Sequence, residues 1–280
     1  MDHANTDTRL KHIHAEEYVG ALQAHYPDLE WTRTATDLLA TAPFDYGANN
    51  RYQKPTQRVN DGITGWITHS FGPRHYNISR TYKGLLCGKS PIDLWLYSAC
   101  IYELKPRTVI ELGAFQGGSA LWLADQVTAM DLDCEVHSYE ILHHAISARA
   151  KHPKLHFHPA DLNDLASIDV VQLKAMPHPW LIIDDAHSNV LNTLSFFRQF
   201  MRDGDYFIKE DTDGLGTAGE NAEYLALAEK LGFYVDGVYV DGFGFNVTTA
   251  RNTWFTLRSE GRPHTHGMTE LRNITWSTDK

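Results

Sequence analysis

Two stretches of the chain set carboxylates directly behind apolar runs. WLIIDDAHSN (180–189) carries Asp184, Asp185 and His187 after four apolar residues, and GDYFIKEDT (204–212) carries Glu210 and Asp211 after Tyr-Phe-Ile-Lys. A buried run ending in two charges leaves carboxylates at the rim of a core, which is costly unless a cation, a proton or solvent meets them. If the two runs are neighbouring strands, four carboxylates converge. Hard oxygen donors on a partly open rim suit Mg²⁺, which keeps several waters and admits substrate oxygens into its shell. On this reading Asp184 holds the ion, Asp185 orients or ligates, and Glu210 and Asp211 supply the remaining ligands. His187, three residues after Asp184, then takes a proton from a metal-bound hydroxyl. The plainer reading is that DDAHSN caps the next helix, since Asp, Ser and Asn are all good caps. Lys209, beside Glu210, would weaken the case for a metal by pairing with one of the acids.

The elements that must position these groups follow a rhythm from residue 108 onward. TVIELG (108–113), EVHSYEI (135–141), KLHFHPAD (154–161), PWLIIDDA (179–186) and GDYFIKED (204–211) read as strands. GGSALWLADQV, NVLNTLSFFRQFM and ENAEYLALAEKLG read as helices between or after them, and HHAISARAKH lies behind the second strand. FYVDGVYVDGF and NTWFTLRS follow as two β segments with no helix between them, as in an antiparallel hairpin. Strand and helix alternating five times predict a doubly wound, mostly parallel sheet, in which ligands bind beyond the carboxyl ends of the strands. Those ends carry Glu111, Glu140, Asp161, Asp184–Asp185 and Glu210–Asp211.

The first strand and turn, VIELGAFQGGSALW, hold glycines 113, 117 and 118 where backbone can approach a ligand and helix N–H groups lie free. There is no Walker lysine, and Phe115 occupies the middle glycine of the dinucleotide pattern. Glu111 suits a cationic, amine-bearing ligand such as S-adenosylmethionine (SAM). Glu140 is placed to take ribose hydroxyls, and Asp161 to meet an adenine amino group. A plain tight turn and solvated strand ends are the competing explanations.

The 280 residues suffice for one large domain with an appended segment, and the net charge of −10 argues against affinity for nucleic acid or an anionic membrane. The three cysteines share no CxxC spacing, the N-terminus lacks the apolar core of a signal peptide, and no apolar run approaches membrane-spanning length. These features predict a soluble cytoplasmic protein. Residues 1–80 are expected to form an N-terminal cap, lid or oligomerisation segment, with a helix over 10–26. The cap's aromatics Trp66, Phe71 and Tyr76, with Tyr82 just beyond it, would cover an acceptor or pack an interface. Residues 81–260 form the ligand-binding domain, beginning near the helical run PIDLWLYSACIYEL (91–104), and 261–280 a polar tail.

The stretches KSPIDLWLYSACIYELKPRTVIELGAFQGGSALW, WLIIDDAHSN and GDYFIKEDT together resemble class I SAM-dependent methyltransferases. More closely they resemble the family that groups cephalosporin hydroxylase-like proteins with rhamnosyl O-methyltransferases. The resemblance spans roughly residues 82–257. It implies a seven-stranded, Rossmann-like sheet ending in an antiparallel hairpin, metal ligands at Asp184, Glu210 and Asp211, and a catalytic base at His187. It also implies cofactor contacts at Glu111, Gly113 and Glu140. The loop residues Ala114, Phe115, Gly117, Gly118 and Ser119, with Asp161 and Asp184, complete the expected cofactor site. The function implied is Mg²⁺-assisted O-methylation of a hydroxyl on a small molecule, a natural product such as a sugar, polyketide or peptide, by a homo-oligomer. The rival readings are an NAD-dependent oxidoreductase, a catalytically silent SAM-binding subunit and a metal-independent methyltransferase.

Overall fold

A computed structural model describes residues 51–58, 81–212, 218–243 and 246–258. The expected helix over 10–26, most of the aromatic cap and the tail from 261 lie outside the described residues. Tyr82 is described; it is half-buried, and its hydroxyl donates to Asp125 at 2.9 Å.

The strands are β1 (Tyr52–Gln53), β2 (Thr81–Tyr82), β3 (Leu85–Leu86), β4 (Thr108–Leu112), β5 (Glu135–Glu140), β6 (Leu155–Pro159), β7 (Trp180–Asp184), β8 (Tyr206–Lys209), β9 (Phe233–Asp236) and β10 (Trp254–Leu257). The helices are α1 (Pro91–Leu104), α2 (Gly118–Ala129), α3 (Val170–Ala175), α4 (Val190–Arg198), α5 (Ala218–Lys230) and α6 (Gly237–Val240). The main sheet runs β1-β9-β10-β8-β7-β4-β5-β6, and β2 and β3 form a separate small pair. β4 through β8 are parallel, whereas β10 is antiparallel to both its neighbours. This is the expected doubly wound α/β sheet. β4, β7 and β8 are buried at every position, so their apolar residues run on without the alternation of a half-exposed strand.

Three details differ from the sequence reading. The sheet has eight strands among the described residues, not seven, because Tyr52–Gln53 from the expected cap pairs with β9 at its edge. Arg51 fixes that edge through 2.8–3.0 Å bonds to the buried Asp236 and one of 2.6 Å to Glu103. Gly237–Val240 does not continue β9 but turns into α6, because Asp236 accepts from Val238 N and caps a helix there. The HHAISARAKH segment contains only a 3-10 turn, His143–Ala145, so β5 and β6 are joined without an α-helix.

From β4 the chain winds outward to β5 and β6, then returns to the other side of β4 as β7. The crevice at that reversal, above the carboxyl ends of β4 and β7, is where such sheets take ligands. No helix among the described residues is long and apolar enough to cross a membrane.

Gly118, the first residue of α2, presses against the β3 segment so closely that an added Cβ would lie 2.2 Å from Leu86 O. Gly118→Ala is therefore expected to destabilise the fold by about 1–3 kcal/mol, the usual cost of overpacking. Denaturant titration checks this; an unchanged midpoint would show that the contact relaxes freely.

Candidate active site

Backbone hydrogen bonds continue past the strand ends and align them. Gly113 N donates to Tyr139 O at 2.8 Å, Asp185 N to Leu112 O at 2.9 Å, and Glu210 N to Asp184 O at 3.0 Å. Gly113 has φ +95°, and a Cβ there would lie 2.9 Å from the Asp185 carbonyl, so only glycine lets the β4 and β7 ends approach this closely. Phe115, His187, Asn189 and Asp211 also adopt left-handed backbone, φ 46–55°, all at these ends. Non-glycine residues visit that region at a cost of order 1 kcal/mol or more each, and such strain concentrates at functional sites.

The crevice is a cavity of about 330 Å³. Gly113, Phe115, Glu140 and Asp161, all expected from the sequence, line it, and so do Tyr139, Asp185 and Ala186. Glu140 accepts from Phe115 N at 2.7 Å and from Leu142 N at 2.8 Å, and Asp161 Oδ1 accepts from Asn163 N at 2.9 Å. Glu111 lies beneath, fully buried. Ser138 donates to its Oε2, while its Oε1 has no partner among the described residues. Burial pushes the Glu111 pKa up, opposed by Lys89. The Tyr139 hydroxyl, in the pocket wall, is likewise buried without a partner. Gly117 and Gly118, expected to cradle a ligand, have packing roles here: a Cβ on Gly117 would press on Ala150 and Phe157, at 2.8 Å from each. Ala114 and Ser119 are buried beside them.

The second constellation shares Asp185 with the crevice. His187 Nε2 lies 3.1 Å from Asp185 Oδ1 and 3.3 Å from Asp211 Oδ2, and these three residues offer donor atoms close enough to hold one metal ion. Of the three ligands expected from sequence, only Asp211 belongs to this cluster. Asp184 is fully buried under it, accepting from Ala186 N at 3.2 Å, and its Oδ2 has no partner among the described residues. Burial raises its pKa, with Lys209 opposing. Glu210 is also buried. Its carboxylate accepts from Lys89 Nζ at 2.5 Å and from the Tyr97 hydroxyl.

Lys89, just before α1, and Tyr97, midway along it, escaped the sequence reading. Lys89 Nζ also lies 2.5 Å from Asp185 Oδ2. The signal was the charge itself: four converging acids call for a buried cation, and Lys89 stands just before the Ser90-Pro91 helix start. Lys209 forms no ion pair with a carboxylate among the described residues. Its ammonium donates to the carbonyls of Asp184 at 3.3 Å and Glu210 at 3.1 Å, and sits 3.2 Å from His187 Nδ1.

The ionisation pattern follows from these contacts. Burial opposes charge on Lys89, but Asp185, Glu210 and Glu111 outweigh it and hold the ammonium charged. Burial likewise opposes ionisation of Asp185, yet Lys89 and His187 keep that carboxyl well below the usual range. Glu210 is pushed up to about 8 by burial, helped by Asp185 and Asp211 and opposed by Lys89. Hydrogen bonds to Asp185 and Asp211 raise His187 to about 9, against burial and Lys209. The site thus holds an imidazole with high proton affinity between two half-buried carboxylates, beside a crevice able to take a polar ligand.

Residues 74–217 match the family model described as Rhamnosyl O-methyltransferase/CmcI, just over half of the 280-residue chain. A rhamnosyl O-methyltransferase from Mycobacterium tuberculosis is 32% identical over 139 residues, 48% of this chain and 57% of that protein. The match therefore spans little more than half the length of that curated relative. An apo structure of CmcI-N160 superposes with TM-score 0.58 and 26% identity over 72% of this chain and 87% of its own. A structure described as cmcI-D160 Mg-SAM gives TM-score 0.55 and 26% identity over 75% of this chain and 92% of its own.

Proposed function

The chain belongs to the rhamnosyl O-methyltransferase/CmcI family, and from that membership we propose that it is a SAM-dependent O-methyltransferase acting on a hydroxyl of a small molecule. The observation that carries the reading is the junction at Asp185, where the crevice meets the Asp185–His187–Asp211 cluster. A methyl donor in the crevice and a hydroxyl at the cluster would then be neighbours. A sugar hydroxyl is the first acceptor to test, since relatives are named for a rhamnosyl one.

The residues fit the cofactor. Gly113 lets the β4 and β7 ends close on each other beside the crevice, Glu140 offers a carboxylate in its wall, and the orphan atoms Glu111 Oε1 and Tyr139 Oη are unsatisfied without a ligand or water. SAM, when bound, supplies the sulfonium methyl group. The donor set also fits a divalent ion: Mg²⁺ commonly binds through one or two carboxylates and leaves room for substrate oxygens. Asp185 and Asp211 would hold it, and its chemistry would be to lower the pKa of the acceptor hydroxyl.

This chain's own part is then mostly positioning. Fixing donor and acceptor in line is worth on the order of 7–11 kcal/mol of the barrier when the geometry is right. His187, raised to about 9 by Asp185 and Asp211, must be neutral to take the proton from the acceptor hydroxyl, and a cation held by those two carboxylates would lower its pKa toward that form. Asp184 supports the turn from below by accepting from Ala186 N.

Calorimetric titration of SAM, once with excess Mg²⁺ and once with EDTA, tests the reading. Binding is expected in both, and methylation of a sugar hydroxyl only with the metal. No SAM binding in either would sink it, and NAD binding in its place would restore the oxidoreductase alternative.

A further inference from the structure

The carboxylate cluster already contains a cation supplied by the chain. Lys89 is 5% exposed and bridges Asp185 Oδ2 and Glu210 Oε2 at 2.5 Å each. It is delivered on a pinned loop. On one side the Leu86–Cys87 backbone is wedged against Gly118. On the other, Ser90 caps α1 by accepting from Asp93 N, and the buried Asp93 accepts from Thr248 Oγ1 at 2.6 Å. The ammonium is thus held in place between two carboxylates rather than free to swing with a surface side chain.

Resting on the cation site proposed above, we propose that Lys89 is a specificity-determining residue of that site: a tethered monocation filling the Asp185–Glu210 half of the cluster. The other half, Asp185 Oδ1 and Asp211 beside His187, is left for one exchangeable divalent ion. Lys89 already occupies Asp185 Oδ2, so an ion held by Asp185 would share that carboxyl group with the ammonium, and two positive charges there would repel at short range with little screening. Lys89 therefore limits how tightly the free enzyme holds a metal. It also occupies Glu210 in the absence of metal, because Lys89 takes one carboxylate oxygen while the Tyr97 hydroxyl takes the other.

The test is Mn²⁺ titration of the full chain, followed by electron paramagnetic resonance, for wild type, Lys89→Met, Lys89→Gln and Lys89→Arg. SAM affinity and thermal melting are read in parallel. Both neutral variants are expected to bind Mn²⁺ at least about tenfold tighter than wild type, and Lys89→Arg, which keeps the charge, to stay within about threefold. Lys89→Gln retains an N–H donor toward both carboxylates, so it carries the comparison if Lys89→Met does not fold. Equal Mn²⁺ affinity in wild type and the neutral variants overturns the role of Lys89 while leaving the cation site standing. Tightening in Lys89→Arg as large as in Lys89→Met also overturns it, since charge would not be the cause. Binding by the neutral variants but not by wild type supports Lys89 as the limiting charge and removes the metal from the working enzyme. Absence of binding in all four overturns both readings.

Discussion

His187→Ala is expected to slow methyl transfer by about 10²–10⁴-fold while SAM and Mn²⁺ affinities stay within about threefold of wild type. The size follows from removing a general base: Nε2 sits 3.1 Å from Asp185 and 3.3 Å from Asp211, which orient the ring, and a cation on those carboxylates would offset the rise of its pKa to about 9. The selectivity follows from the layout, since His187 does not line the crevice. Single-turnover kinetics at saturating SAM and Mg²⁺, with a separate Mn²⁺ titration, separate the possible roles. One imidazole nitrogen cannot both hold a metal and accept a proton. A loss of Mn²⁺ affinity of about tenfold or more would make His187 a ligand and remove it as the base. Retained turnover would leave the carboxylates and positioning as the whole of the catalysis.

How much of this was legible in the sequence depends on how much each feature rests on local pattern. The parallel strands were, because fully buried strands read as unbroken apolar runs followed by acids and helical repeats. β5–β6 broke the rhythm because no apolar helical face stands between His143 and Lys154, and α6 replaced strand because the Asp236 side chain reaches Val238 N. The pairing of Tyr52–Gln53 with β9 joins residues more than 180 positions apart and rests on the buried Arg51–Asp236 bonds, which no local period reveals. Gly113, Phe115, Glu140 and Asp161, expected at strand ends and in the first turn of a known topology, line the crevice. Lys89 was not expected, because it arrives from a loop ahead of α1, outside the strand–helix repeat that supplied the other residues.

The same limit explains the adjacent aspartates, and it yields the second large expected effect. Successive side chains of a strand point to opposite faces, so Asp184 and Asp185 cannot share one environment. In a half-exposed strand the apolar alternation would tell which faces the ligand, but β7 is buried on both faces and carries no such mark. The structure sets Asp184 opposite Leu112 inside the ladder and fully buried, and puts Asp185 one residue beyond, in the crevice wall and against His187 and Lys89. Asp185→Asn is therefore expected to weaken Mn²⁺ binding on the order of 100-fold, because it removes one of the two charged ligands. Turnover should fall with it. Asp184→Asn keeps an oxygen for the Ala186 N–H and changes a group that does not reach the cluster, so Mn²⁺ affinity should stay within about threefold. Paired titrations of the two variants, with melting curves to exclude global unfolding, decide the matter. If Asp184→Asn lost the metal and Asp185→Asn kept it, the ligand would be the buried aspartate. The strand end would then have to rotate when the ion binds, turning Asp184 outward and breaking the Asp185–Lys89 pair.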